Sequence, residues 1–143
     1  MARTMRVWVS AWQQECCGDT IRVGGEVCWT LHEPDLDFAR TVLGNTLAET
    51  ITHDEERHGG LPDDAPRTVG TVTAIKAVSC KYEPGAAPRE RILYPVPGSA
   101  VVRERTVVHG SVPVDDGFQL VGYLVDLEPT LVGELRSVSG GPV

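Results

Sequence analysis

Apolar side chains alternate with small or polar ones along most of this chain, and glycine or proline interrupts nearly every run. A period of two places successive side chains on opposite faces of a pleated strand, so the pattern commits most of the polypeptide to sheet. The run Arg6-Val7-Trp8-Val9-Ser10-Ala11-Trp12 is the first example and predicts a strand with Trp8 and Trp12 on one face. The stretch from Ile21 to Leu31 reads as two short strands around Gly24-Gly25, where glycine takes positive φ without a Cβ clash. In the second of these, Val27, Trp29 and Leu31 are expected to point inward, and Glu26, Cys28, Thr30 and His32 outward. Thr68 to Tyr82, Arg89 to Tyr94, Ala100 to Val112 and Phe118 to Leu127 continue the β pattern. Pro95-Val96-Pro97-Gly98 is read as the turn of a hairpin joining the second and third of these, and Asp115-Asp116-Gly117 as a tight turn before the last.

One segment departs from period two. Leu36, Ala39, Val42, Leu43, Leu47 and Ile51 recur mostly at spacings of three and four, which predicts a helix from about Leu36 to Ile51 capped by Asp35 or Asp37. Gly44 and Asn45 weaken its middle. Residues 52–67 carry charge, glycine and proline without apolar periodicity and read as a long exposed loop.

With 143 residues, a chain of this kind buries roughly 68–70% of its extended surface, enough for a single core without disulfides or metal. One domain over 1–143 is expected, with an ordered core at about 5–128 and a fraying tail at about 129–143. Six or seven short strands with one inserted helix predict a mainly β fold, a small bent antiparallel sheet or an OB-like or SH3-like barrel, because closure removes exposed edges. An open antiparallel sheet with the helix on one face is the alternative. No window approaches the roughly 20 apolar residues of a membrane span, and the start lacks a signal core, so a cytosolic protein is expected. The formal net charge of −7 disfavours general binding to nucleic acid.

Chemical potential concentrates first in Trp12-Gln13-Gln14-Glu15-Cys16-Cys17-Gly18-Asp19, since adjacent cysteines are unusual in a chain with four. In a cytosolic protein these read as thiols or metal ligands rather than a disulfide framework. Adjacent thiolates suit one tetrahedral zinc poorly, and no Cys-x-x-Cys occurs, so neither a metal nor a cofactor is signalled. Cys17, beside Gly18, is the candidate nucleophile, with His32, His53, His58 or His109 as base. Together with the Val23-Gly24 turn, Val27, Trp29, the His-containing acidic loop and Gly70-Thr71-Val72, this segment resembles an uncharacterised family of short actinobacterial proteins, a domain of unknown function. The resemblance covers about Arg6 to Leu127 and implies no activity.

His53 and His58 frame acidic residues, but five positions on a helix rotate by about 500°, so their rings diverge by roughly 140° and a solvated loop is the better reading. Arg89-Glu90-Arg91 and Arg103-Glu104-Arg105 would lie on paired strands if the Pro95–Ser99 segment closes a hairpin, and four guanidinium groups would then form a basic stripe. Such a stripe suits a phosphate, a carboxylate or a single nucleic-acid strand, while cross-strand salt bridging is its structural explanation. Phosphate-loop, dinucleotide and serine-hydrolase motifs are missing. The functional expectation is a binding protein, monomer or homodimer, for a partner protein or small ligand, with Trp8, Trp12, Cys16, Arg103 and Arg105 as its binding residues. An enzyme using Cys17 as a thiol or a metal held by Cys16, Cys17 and a histidine, and a single-strand nucleic-acid binder using the arginine stripe, are the alternatives.

Overall fold

The computed structural model describes residues 4–56, 66–87, 89 and 91–130. The barrel strands among them are β1 (Met5–Ser10), β3 (Glu26–His32), β4 (His53–Glu55), β5 (Arg67–Cys80) and β10 (Gln119–Pro129). β10 pairs antiparallel with β1 and with β5, β5 with β3, and β3 with β4. The parallel pairing of β4 with β1, Val7 opposite His53, returns the sheet to its start and closes a five-stranded barrel. The β-rich reading holds, and the open-sheet alternative does not. Register shifts in β10 against β5, at Leu120/Gly122 and Asp126/Leu127, let these long strands bend around the barrel.

Alternation sorts the core into two layers. Val7, Val9, Trp29, Ile75, Tyr123 and Val125 fill the barrel, with Val27 and Leu31 packed against them as expected. Trp8, Val78, Cys80 and Leu124 point outward and are covered by helices α2 (Leu36–Leu43) and α3 (Asn45–Ala48) through Ala39, Val42, Ala48 and the following Ile51. The two helices replace the single one expected. Asp35 caps the first by accepting from the Phe38 N–H at 3.2 Å, and Gly44 at φ 83° breaks the run where a helical φ is negative.

Other differences from the sequence reading have equally local causes. The first strand ends at Ser10, because Ala11–Cys17 form helix α1; Trp12 therefore leaves the sheet face it was expected to share with Trp8. Strand β2 (Ile21–Arg22) precedes the expected Gly24 turn but pairs with β9 (Val107–Val108) rather than with β3. His53–Glu55, expected in an exposed loop, instead fill the gap between β1 and β3, and Glu55 is buried. His58 and residues 57–65 lie outside the described residues, as do 131–143 of the expected tail. Finally, β7 (Leu93–Pro95) pairs with β6 (Tyr82–Pro84), while β8 (Val101–Arg105) pairs with β5. The hairpin that was to align Arg89 and Arg91 with Arg103 and Arg105 does not form, so the four-arginine stripe is absent among the described residues. The turn at Asp115-Asp116-Gly117 forms as read, with the Phe118 N–H on the Asp115 carbonyl at 3.0 Å.

Candidate functional site

The 14 residues of β5 outrun β3. Its Arg67–Thr71 end pairs with β3, its Ile75–Ser79 end with β8, and all of it from Gly70 onward with β10. Residues directly opposite in a ladder share a face. Val9, Tyr123, Ala77 and Arg103 therefore form one row across four strands, and Val7, Val125, Ile75 and Arg105 form the next. Each row begins as barrel interior and ends in an arginine. Where β8 takes over from β3, the interior opens to solvent.

The segment Val112–Asp115 crosses this opening and completes a cleft of about 190 Å³ over Ala77 and Ser79, with Val101, Arg103 and Arg105 along one side. Alanine at 77 makes the hollow, since its methyl group stops short of the height reached by its row neighbours Tyr123 and Arg103. The two arginines differ in commitment. Arg103 grips Asp115 with both prongs of its guanidinium, Nη2 to Oδ2 at 2.8 Å and Nη1 to Oδ1 at 3.1 Å. Arg105 is half-buried, and no described residue forms an ion pair or hydrogen bond with it.

Behind the cleft Tyr123 is fully buried, and its hydroxyl has no hydrogen-bond partner among the described residues. Burial pushes its pKa up to about 12; the Glu15 carboxylate on α1 adds to the rise and Arg105 opposes it. The phenol is therefore neutral and a donor at any physiological pH. Helix α1 packs on β10 and brings a second buried polar group: Gln14 Nε2 donates to the Asp19 carbonyl at 2.6 Å, while its Oε1 has no partner among the described residues.

Of the binding residues expected from sequence, Arg103 and Arg105 come together here. Trp8 lies outside the barrel, tilted against Phe38 with ring centroids 6.3 Å apart. Trp12 and Cys16 are exposed on α1, Trp12 to 58%. Cys16 is disulfide-bonded, which corrects the expectation of a free thiol or metal ligand at that position. The side chain of Cys17 lies outside the described structure. Cys80 is buried with its thiol pKa pushed up by burial, so it is a packing residue rather than a nucleophile.

The candidate bases are placed separately from the cleft. His32 stands 3.6 Å from Glu56, His53 bonds Thr52 through Nδ1 and has its pKa lowered chiefly by burial, and His109 bonds Thr20. No group of three or more His, Cys, Asp or Glu is arranged to hold a metal ion among the described residues. No helix among them is long and apolar enough to cross a membrane.

Sequence reasoning passed over Tyr123, Ser79 and Asp115. The signal for Tyr123 was present, a hydroxyl in a strand apolar on both faces, where every inward position has to be satisfied or used. Asp115 was legible only as a turn residue, because nothing local says that Arg103 will stand across from it.

No curated protein and no solved structure matches this chain. Residues 3–129, which carry the whole barrel and the cleft, match the family of unknown function designated DUF6578, and the chain belongs to that family.

Proposed function

We propose that this protein acts by binding a small organic anion in the cleft between β5, β8 and the Val112–Asp115 segment. Arg105 carries the reading: a half-buried guanidinium without a partner among the described residues stands over an apolar floor. Removing such a charge from water is unfavourable unless an anion completes it. A carboxylate matches the guanidinium fork with two parallel hydrogen bonds, while Ala77, Val101, Val112 and Val114 offer apolar surface to the rest of the ligand. The volume of about 190 Å³ falls below the roughly 300–1,000 Å³ of ordinary ligand pockets, which favours a single-ring or short-chain acid over a nucleotide. Reading the cleft as a nucleic-acid groove has lost its stripe and faces a net charge of −7.

The test is titration of the full chain with benzoate, followed through the arginine Nε–Hε resonances and by calorimetry. Saturable movement of the Arg105 resonance is expected, with at least tenfold weaker binding in Arg105→Ala and a smaller loss in Arg103→Ala, whose guanidinium is already engaged by Asp115. Benzoate that leaves the spectrum unmoved, or binds Arg105→Ala as well as the parent, would overturn the proposal.

A further inference from the structure

Resting on the anion-binding reading of the cleft, we infer that Ser79 is its specificity-determining residue: the serine hydroxyl recognises a neutral hydroxyl at the end of the ligand remote from the carboxylate, so the cleft selects a hydroxylated single-ring acid over the bare acid.

Three observations combine. First, Ser79 lines the cleft yet is only 6% exposed, and its hydroxyl forms no hydrogen bond with any described residue. Folded proteins rarely leave a buried hydroxyl in that state without a use. Second, the ladder explains why it finds no partner. Its row neighbours are Leu120 on β10 and Val101 on β8, and Ala77 stands two residues along the same face, so none of the three has a polar side-chain atom to offer. Third, Arg103 and Asp115 are committed to each other, which leaves Arg105 and Ser79 as the uncommitted polar side chains of the lining.

The register holds these two apart. Arg105 stands opposite Ile75, and Ser79 opposite Val101. Four residues of strand at about 3.3 Å each put the two rows about 13 Å from one another. Arg105 therefore takes the carboxylate toward one end of the cleft, Ser79 waits at the other, and a ring lying over the Ala77 methyl spans the interval. Apart from Arg105 and the mutually engaged Arg103 and Asp115, no charged side chain lines the cleft, so the group met by Ser79 is neutral. A hydroxyl both donates and accepts, and either oxygen of the pair can supply the proton.

The experiment titrates the full chain with benzoate, 4-hydroxybenzoate and 2-hydroxybenzoate by calorimetry, in parent and Ser79→Ala, with thermal unfolding of each. The parent should bind 4-hydroxybenzoate about three- to tenfold more tightly than benzoate, the usual net worth of one hydrogen bond. The 2-isomer, whose hydroxyl sits beside the carboxylate, should show no such gain. In Ser79→Ala the preference for 4-hydroxybenzoate should disappear while Tm stays level or rises, since no internal hydrogen bond is lost. Equal binding of benzoate and 4-hydroxybenzoate by the parent, an equal gain from the 2-isomer, or a preference that survives in Ser79→Ala would each overturn the inference and leave the role of Arg105 standing. Should Ser79→Ala fail to fold, the parent's discrimination between the two isomers decides. If none of the three acids binds the parent, the cleft reading falls, and this inference with it.

Discussion

Replacing Gly122 by alanine tests the barrel at the seam where β1 meets β10. A Cβ built on Gly122 would stand 2.5 Å and 2.9 Å from two ring carbons of Trp8 and 2.6 Å from the Val9 carbonyl oxygen. All three lie inside any tolerable contact distance. Neither neighbour gives easily: the carbonyl belongs to a strand paired on both edges, and Trp8 is wedged among Val42, Ala39 and Leu124 beneath the helices. Overpacking of a filled core costs about 1–3 kcal/mol and sometimes more; with backbone among the clashing atoms, we place Gly122→Ala at about 3 kcal/mol. For a domain of this size that lowers the melting temperature by about 6–12 °C.

Urea and thermal unfolding of parent, Gly122→Ala, Trp8→Leu and the double variant supply the assay. Leucine removes the indole clash while leaving the carbonyl, so the double variant should be less destabilised than the sum of the single ones, as expected for coupled neighbours. Gly70→Ala serves as the graded control, since its Cβ would sit 3.1 Å from the Glu128 carbonyl, tight but closer to accommodation. A Gly122→Ala protein within about 0.5 kcal/mol of the parent, the range of an inconsequential surface change, would mean that Trp8 does not cross the β1–β10 seam there and that the register is wrong.

Three further outcomes follow from the same structure. Tyr123 has its pKa raised from about 10 unfolded to about 12 folded, so the folded state holds its proton more tightly; the associated stability, about 2–3 kcal/mol, is fully present below pH 10 and is lost as pH rises towards 12. Urea unfolding across that range should fall more steeply for the parent than for Tyr123→Phe, and parallel curves would contradict the burial. Asp126→Asn breaks the two-pronged contact with Arg6, whose Nε lies 2.7 Å from Oδ1 and Nη2 3.0 Å from Oδ2, and should cost about 1–2 kcal/mol; the loss should shrink in high salt, because both side chains keep some exposure. Asp35→Ala removes the cap of α2 and should cost about 1 kcal/mol in chemical denaturation, with helical circular dichroism lost first.

Much of the fold was legible in the chain because strand pattern and turn chemistry are local. Val27, Trp29 and Leu31 reached the interior, Asp35 capped its helix, and Gly117 closed its turn at φ 83°, all for reasons carried within a few residues. The errors arose where two local readings competed. Arg6 to Trp12 alternates well enough to pass for one strand, yet the chain turns into a helix at Ala11, from where Gln13 and Gln14 are carried into buried positions. His53-Asp54-Glu55 has no strand signal, and the barrel needs a strand there all the same.

Period-two alternation, by itself, committed this polypeptide to a small mainly β fold with an inserted helical segment, and it singled out Arg103 and Arg105 as sharing a face. Only tertiary structure decided which strands became neighbours, and hence that Arg89 and Arg91 go elsewhere, that Asp115 occupies one guanidinium, and that Tyr123 stands behind Ala77. The physical reason is that side-chain periodicity fixes which face a residue takes within its own strand, whereas pairing partners are chosen by how the whole sheet closes and buries its apolar faces.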